Sequence, residues 1–234
     1  MDQSGLPPEW FARANRLAIV TALLSTTVHE VNNALQVISG SAELLAPGAT
    51  SDVVARRSDA IGSQARRASA LLAELSAFAR DDTPEIERAD LGQIARRALA
   101  MRQYTLARLN IQSGFEGDGA VRMAAARPRM VLQIVLNLLL NAERALTGRV
   151  GGRIVVHMAP GGECADLTVE DNGPGIPAPL ASQLFTPSPA RTEGPLGIGL
   201  SVSRWLAERA GGSLELSTSS LGGCAIRLRL RPAS

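Results

Sequence analysis

His29 is followed directly by Glu30, and Asn32 and Asn33 come three and four residues after it, in the stretch VHEVNNALQVISG from Val28 to Gly40. On a helix, residues three and four apart share a side, so the imidazole and both carboxamides face the same way. Ala22, Ser25 and Thr26 are small and leave open space above the ring. A neutral imidazole near pH 7 has one ring nitrogen with a free lone pair. A neighbouring carboxylate can orient the ring and take its other proton, which makes that nitrogen a nucleophile. Glu30 is placed for that part, and Asn33 for holding a water or a phosphoryl oxygen. Taken alone, His29 is more simply read as a solvated surface histidine.

A second group changes the balance. LQIVLNLLLNAERAL puts Asn137 and Asn141 four apart on one helix face, with Arg144 three further on. Two amides converging with an arginine suit a metal–phosphate cluster, although a polar stripe on a core helix has the same look. EDNGPGIP follows, with Asp171 at the end of a strand-like run and Gly173 and Gly175 after it. Glycines there allow positive φ and close backbone approach, and a buried aspartate can accept a hydrogen bond from an exocyclic amine such as that of adenine. GPLGIGLSVSRWL places Gly197 and Gly199 at the opening of a helix, whose free N–H groups bind anionic phosphates. Each element is weak evidence, but four in this order are strong.

The elements that must position these residues follow from periodicity. Apolar residues at Leu17, Val20, Leu24, Val28, Val31, Leu35, Ile38 and Leu45 predict a first helix from about Glu9 to Ala46. Pro47 and Gly48 break it, Ser51 or Asp52 caps a second helix, and Ile61, Ala65, Ala68, Leu71, Leu72, Leu75 and Phe78 form its stripe to about Arg80. Two helices alone bury little. Such a hairpin completes its core by dimerising into a four-helix bundle or by folding back onto the rest of the chain.

After the charged segment DDTPEIERAD the pattern changes. Asp90 caps a helix from Leu91 to about Gln103, and short strands fit around 109–115 and 120–124. A strong apolar helix covers 128–146, strands cover 153–158 and 166–170, and 173–196 reads as loop. A helix over 197–210 and strands at 213–218 and 224–230 close the chain. Helices interspersed with strands in this way fit one sheet covered on one face by helices. The chain is therefore read as an all-α helical hairpin over residues 1–82 followed by an α/β two-layer sandwich over 83–234.

With 234 residues the chain can build two cores, and 3% aromatics means aliphatic side chains must fill them. A net charge of +2 gives no electrostatic reason to expect nucleic acid or a membrane surface. Every basic residue is arginine, so any phosphate contact from a cation uses a planar guanidinium. Cys164 and Cys224 have no motif spacing and read as reduced thiols, and no apolar run is long enough to span a bilayer, so a cytoplasmic location is expected. His157 sits in an alternating strand without a ligand-spaced partner and reads as a surface or satisfied histidine.

Taken in order, the motifs resemble those of the sensor histidine kinases of two-component signalling, from about residue 15 to 230. VHEVNN is similar to the phosphoacceptor H box, NLLLNAERA to the N box, DNGPGIP to the G1 box, LFTP to the F box and GIGLSVS to the G2 box. The resemblance implies a sandwich of the histidine kinase ATPase type and an enzyme using ATP and Mg²⁺. On it, His29 takes the γ-phosphoryl group and Glu30 is the general base. Glu30 with Asn33 matches the E-x-x-N pattern of dephosphorylation. Asn141 ligates Mg²⁺, Asn137 lies beside it, Arg144 contacts the phosphates and Asp171 reads adenine. Gly173, Gly175, Gly197, Gly199 and Leu200 shape the pocket and its lid. It further implies a homodimer and a response-regulator receiver domain as acceptor. No sensor segment is read in the sequence, so a separate sensor protein, acting at the N-terminal tail, is the expected route for the signal.

Related ATPases carry glutamate at the place of Asn137; an amide cannot activate water as a base, which favours transfer to His29 over hydrolysis. Departures from the pattern are Ala34 in place of a proline, Pro195 and Leu196 in place of the first lid glycine, and SPARTE without the usual aromatic and lysine, where Arg191 stands in. They leave a phosphotransfer protein with a degenerate ATP-binding domain, loaded by another kinase, as the alternative.

Overall fold

The computed structural model describes residues 9–45, 50–80, 88–117, 122–158, 164–186 and 198–233. The chain divides into two compact units: Val20–Thr83, and Pro84–Ser234 together with Met1–Ile19. The hairpin expected over residues 1–82 differs at its start: the described residues 9–19 group with the sheet unit.

The hairpin consists of α1 (Glu9–Glu43), whose first turns belong to the sheet unit, and α2 (Ser51–Ala79). At 1.5 Å per residue α1 is roughly 50 Å long. Within one copy of the chain, four residues of the apolar stripe read on α1, Leu17, Leu24, Val28 and Leu35, are exposed, whereas Ile19, Leu23, Thr26, Thr27, Ala34 and Ser41 are buried. On α2, Ala68, Leu75 and Phe78 are buried and Leu72 is exposed. Helix α1 thus has two apolar faces, and one copy of the chain covers only one of them. The start of α2 is also corrected: Thr50 is the N-cap, without a side-chain cap bond. Asp52 lies inside the first turn, 2.7 Å from Arg56, where a carboxylate favours the positive end of the helix dipole. The turn at 47–51 lies largely outside the described residues.

In the other unit, β1 (Ala89–Asp90) pairs antiparallel with β3 (Met123–Ala124). Asp90 caps α3 (Leu91–Arg108), accepting from the Gln93 N–H at 3.0 Å. A five-stranded sheet runs in the order β2 (Gln112–Glu116), β4 (Arg153–Met158), β5 (Ala165–Asp171), β7 (Ala225–Leu230), β6 (Ser213–Ser217); only β2 and β4 are parallel. Over it lie α3, α4 (Pro128–Leu146) and α6 (Gly199–Arg209), with the one-turn α5 (Ala178–Ala181) inside the stretch expected to be loop. Pro128 opens α4, where its missing N–H is not needed.

Helix α4 packs against α3 on one side, α6 on the other, and β4 and β5 beneath. It is therefore buried nearly all round, with Ile134, Val135, Leu136, Leu138 and Leu139 almost fully covered. Each such side chain stabilises the fold by ~1.5–3 kcal/mol. The same flanking buries two of its polar residues, Gln133 and Asn137.

Candidate functional site

A cavity of ≈ 280 Å³ opens between α4, the end of β5, the segment after it and the start of α6. Asn137, Asn141, Arg144, Asp171, Gly175, Gly199 and Leu200 all line it. Gly173 stands beside it, its N–H bound to Asp171. Gly197 and Arg191 lie outside the described residues, as do Pro195 and Leu196.

Asp171 ends β5, in register with Ile154 on β4. Its Oδ1 accepts from the Gly173 N–H at 2.8 Å and the Cys224 N–H at 3.2 Å. Oδ2 takes neither bond and is left for a donor in the cavity. Burial raises the carboxyl above the ordinary aspartate value, and the two amide bonds oppose that rise without cancelling it. The same burial, with the Asp171 charge added, pushes the Cys224 thiol up to about 12.

The turn ahead of β7 finishes this end of the cavity. Glu170 Oε1 accepts from the Leu221 N–H at 2.7 Å and Ser219 Oγ at 2.8 Å, and Ser219 Oγ accepts from the Gly223 N–H at 3.2 Å. Burial pushes the Glu170 carboxyl up, but its bonds to Leu221, Ser219 and Ser220 outweigh that and hold it below the usual range. On the neighbouring strand, His157 Nε2 lies 3.2 Å from Glu170 Oε2 but makes no hydrogen bond to it. A Cβ at Gly223 would fall 2.4 Å from both the Asp171 carbonyl oxygen and the Gly173 nitrogen. No side chain fits there. Gly175 has φ of +71°, the left-handed region that glycine adopts without cost.

At the other end, Arg144 Nη1 donates to Asn141 Oδ1 at 3.1 Å, and Asn141 Nδ2 is buried without a partner among the described residues. Burial lowers the Arg144 pKa, helped by Arg102 and opposed by Glu143; the guanidinium stays a cation at neutral pH. Arg102 on α3 holds Glu143 through Nη2 at 2.7 and 2.8 Å, which fixes the rotation of α4 beside Arg144. Helix α6 starts after Ile198, which gives it no side-chain cap, and the positive end of such a helix favours an anion.

The donors fit a nucleotide: an acceptor at the buried aspartate, an orphaned carboxamide, a guanidinium and uncapped helix amides. Among the described residues no group of three His, Cys, Asp or Glu could hold a metal. A single carboxamide oxygen fits Mg²⁺, which keeps water and phosphate oxygens as its main ligands.

His29 is exposed on α1, as are Asn32 and Asn33. Arg67 on α2 donates through Nη2 to Glu30 Oε2 at 3.1 Å, a partner the sequence did not reveal. The sequence also missed Gly223, Ser219 and Gln133. The Gly222–Gly223 pair after Ser219–Ser220 was the available signal for the first two. Gln133 stands four residues before Asn137, on the polar stripe already noticed.

Two family models match the chain. Residues 20–84 match the His Kinase A (phospho-acceptor) domain, and residues 126–234 match the histidine kinase-, DNA gyrase B- and HSP90-like ATPase. The C4-dicarboxylate transport sensor protein DctS of Rhodobacter capsulatus is 27% identical, over 95% of this chain and 35% of its own length. The sensory histidine kinase/phosphatase NtrB of Escherichia coli O157:H7 is 29% identical, over 93% of this chain and 64% of its own. The chain thus spans between about a third and two thirds of these relatives. The catalytic domain of histidine kinase ThkA shares the fold of the sheet unit, with a TM-score of 0.55 at 23% identity over 64% of this chain and 96% of that one. Two domain matches in this order, with the kinase relatives spanning both, define a two-domain signalling kinase core. The chain belongs to the sensor histidine kinases.

Proposed function

We propose that this chain phosphorylates His29 with ATP and passes the phosphoryl group to an aspartate on a response-regulator receiver domain. One observation carries the reading. The cavity gathers Asn137, Asn141, Arg144, Asp171, Gly175 and Gly199 from separate elements around a carboxylate with one oxygen free and a carboxamide with one nitrogen orphaned.

In this reading Asp171 Oδ2 accepts from the adenine amine. Arg144 leaves Asn141 for the phosphates, and the first amides of α6 neutralise charge on them. Asn141 Oδ1, released by Arg144, holds Mg²⁺, which offsets the charge that develops on the transferring phosphoryl group. Asn137, a carboxamide, has no basic group to activate water, so water is a poor competitor for the phosphoryl. His29 is exposed because it must meet two partners in turn, ATP and then the receiver aspartate, each in line. Glu30, tied to Arg67, takes the proton from the imidazole, and with Asn33 positions the water that removes phosphate from the regulator. The phosphatase part is supported by the double activity in the printed name of NtrB.

The helical unit acts as dimerisation and phosphotransfer domain, residues 83–234 as the ATP-binding domain. The homodimer is supported by the exposed row Leu17, Leu24, Val28 and Leu35. No helix among the described residues is long and apolar enough to cross a membrane, and we place the chain in the cytoplasm.

Purified chain with γ-labelled ATP and Mg²⁺ tests the proposal. Acid-labile, base-stable label is expected, and it is lost in His29→Ala. Label that persists in that variant overturns His29 as acceptor. Label that appears only after a second kinase is added favours the phosphotransfer protein instead.

A further inference from the structure

The first turns of α1 form part of the nucleotide cavity. Asn15, Ala18 and Ile19 line it beside Asn137. Asn15 is 3% exposed, and its carboxamide pairs reciprocally with that of Asn137. Asn15 Nδ2 donates to Asn137 Oδ1 at 3.1 Å, and Asn137 Nδ2 donates back to Asn15 Oδ1 at 2.9 Å. Gln133, one turn earlier on α4, donates through Nε2 to both Asn15 Oδ1 and the Ala12 carbonyl at 2.9 Å. Asn137 Nδ2 also reaches Ser203 Oγ at 3.0 Å and the Gly199 carbonyl at 3.2 Å. At the outer end of the joint Glu9 pairs with Arg209 on α6.

Two features of this joint point to a role beyond packing. First, Asn137 is saturated: its one oxygen is held by Asn15 and its two N–H protons are shared among three acceptors. Four residues along the same helix face, Asn141 keeps a buried nitrogen with no partner. The two amides expected at the phosphates are thus in opposite states, and it is Asn15 that holds the Asn137 oxygen. Second, the joint is built from amides although it is buried. A permanent helix contact gains more from aliphatic side chains, whereas amides exchange one oxygen or N–H partner for another at little net cost.

We propose that Asn15 is a latch on the nucleotide site. It occupies Asn137 while α1's first turns are docked, and it must withdraw before Asn137 can turn to a bound triphosphate. This rests on the ATP-binding reading above. Docking of Glu9–Ile19 and tight nucleotide binding then oppose each other, and linkage makes the opposition reciprocal. Whatever pulls the start of α1 away raises nucleotide affinity, and nucleotide loosens the start of α1.

The test compares the full chain with Asn15→Ala and Gln133→Ala, two variants that share only the latch. Affinity for a fluorescent ATP analogue with Mg²⁺ is measured alongside Tm without nucleotide. Each variant should bind about fivefold tighter or more, the range expected when one net hydrogen bond no longer competes, while its nucleotide-free Tm falls. That opposition of sign separates a latch from a structural strut, for which affinity and Tm fall together. Amide hydrogen exchange in residues 9–19 of the wild-type chain should speed up on adding a non-hydrolysable ATP analogue. Unchanged or weaker binding in both variants, or exchange that stays the same or slows, overturns the latch. A wild-type chain that binds no nucleotide overturns the ATP-binding reading itself, so the two failures are distinct.

Discussion

The two ends of the nucleotide cavity are built on opposite terms. At the Asp171 end every group but one oxygen is already committed: Oδ1 is held by two backbone amides, and the turn above it is tied down by Glu170 and Ser219. At the other end Asn137 is paired with Asn15, and Asn141 accepts from Arg144 while its nitrogen has no partner among the described residues. The first end needs nothing to move before a ligand arrives, which is what recognition of a rigid base requires. The second has to rearrange. Recognition and activation are thereby separated along one pocket, and side chains on a single helix, α4, carry most of the part that changes.

The largest effect expected from breaking this arrangement is at Asp171. Asp171→Asn keeps an oxygen for the two amides but puts an N–H where Oδ2 meets the adenine amine. Nucleotide affinity should fall at least about a hundredfold, as when a buried hydrogen-bonding site meets a mismatched group, read by calorimetry. The fold should not suffer. A carboxyl whose folded pKa is raised contributes stability that is complete below its unfolded pKa of about 4 and is lost as pH rises through the folded value. The wild-type Tm should decline over that window, and the decline should be shallower in the variant. An equally steep decline would show that Asp171 is not its source.

Next is Asn141→Ala, which removes the orphaned carboxamide. Autophosphorylation should drop about a hundredfold, the scale of losing one transition-state contact, while affinity for adenosine, which lacks phosphates, stays within about twofold. Equal losses of both would mean that Asn141 shapes the adenine end as well.

Gly223→Ala tests how finished the Asp171 end is. Its methyl would meet the Asp171 and Gly173 backbone, so a destabilisation of about 1–3 kcal/mol from overpacking is expected, seen as a lower urea midpoint. No change in midpoint would show that the turn can yield. The smallest effect is at Arg67→Ala. Its pair with Glu30 is largely exposed on the arginine side, so stability should change by no more than about 1 kcal/mol. The rate of autophosphorylation should fall instead, by about tenfold, because Glu30 loses the guanidinium that orients it. An unchanged rate would remove the Arg67–Glu30 pair from proton handling.

What was readable in the sequence follows the range of the forces involved. Helix α4 was delimited to its end residues, and Asp90 was identified as a cap, because a proline start, a dense apolar run and a capping carboxylate act within a few residues. The residues Asn137, Asn141, Arg144 and Asp171 were legible because their motifs are contiguous. Asn15 and Gln133 were not: their link joins positions 118 residues apart and depends on α1 and α4 meeting. The pairing of Ala89 with Ala124 and the approach of Gly223 to Asp171 are equally non-local. Which face of α1 the single chain buries was not legible, because both of its sides are apolar, and periodicity cannot rank them when one copy of the chain covers only one.

Cys224 stands in the wall of the cavity, its thiol pushed up to about 12. At neutral pH almost none of it is thiolate, the form that oxidants and alkylating agents attack. Cys164, by contrast, is exposed. Oxidative chemistry reaching this protein is therefore directed to the surface sulfur, and the nucleotide pocket is chemically quiet although it contains a cysteine. The burial that encloses this wall of the cavity, with the Asp171 charge added, also keeps the sulfur in its unreactive form.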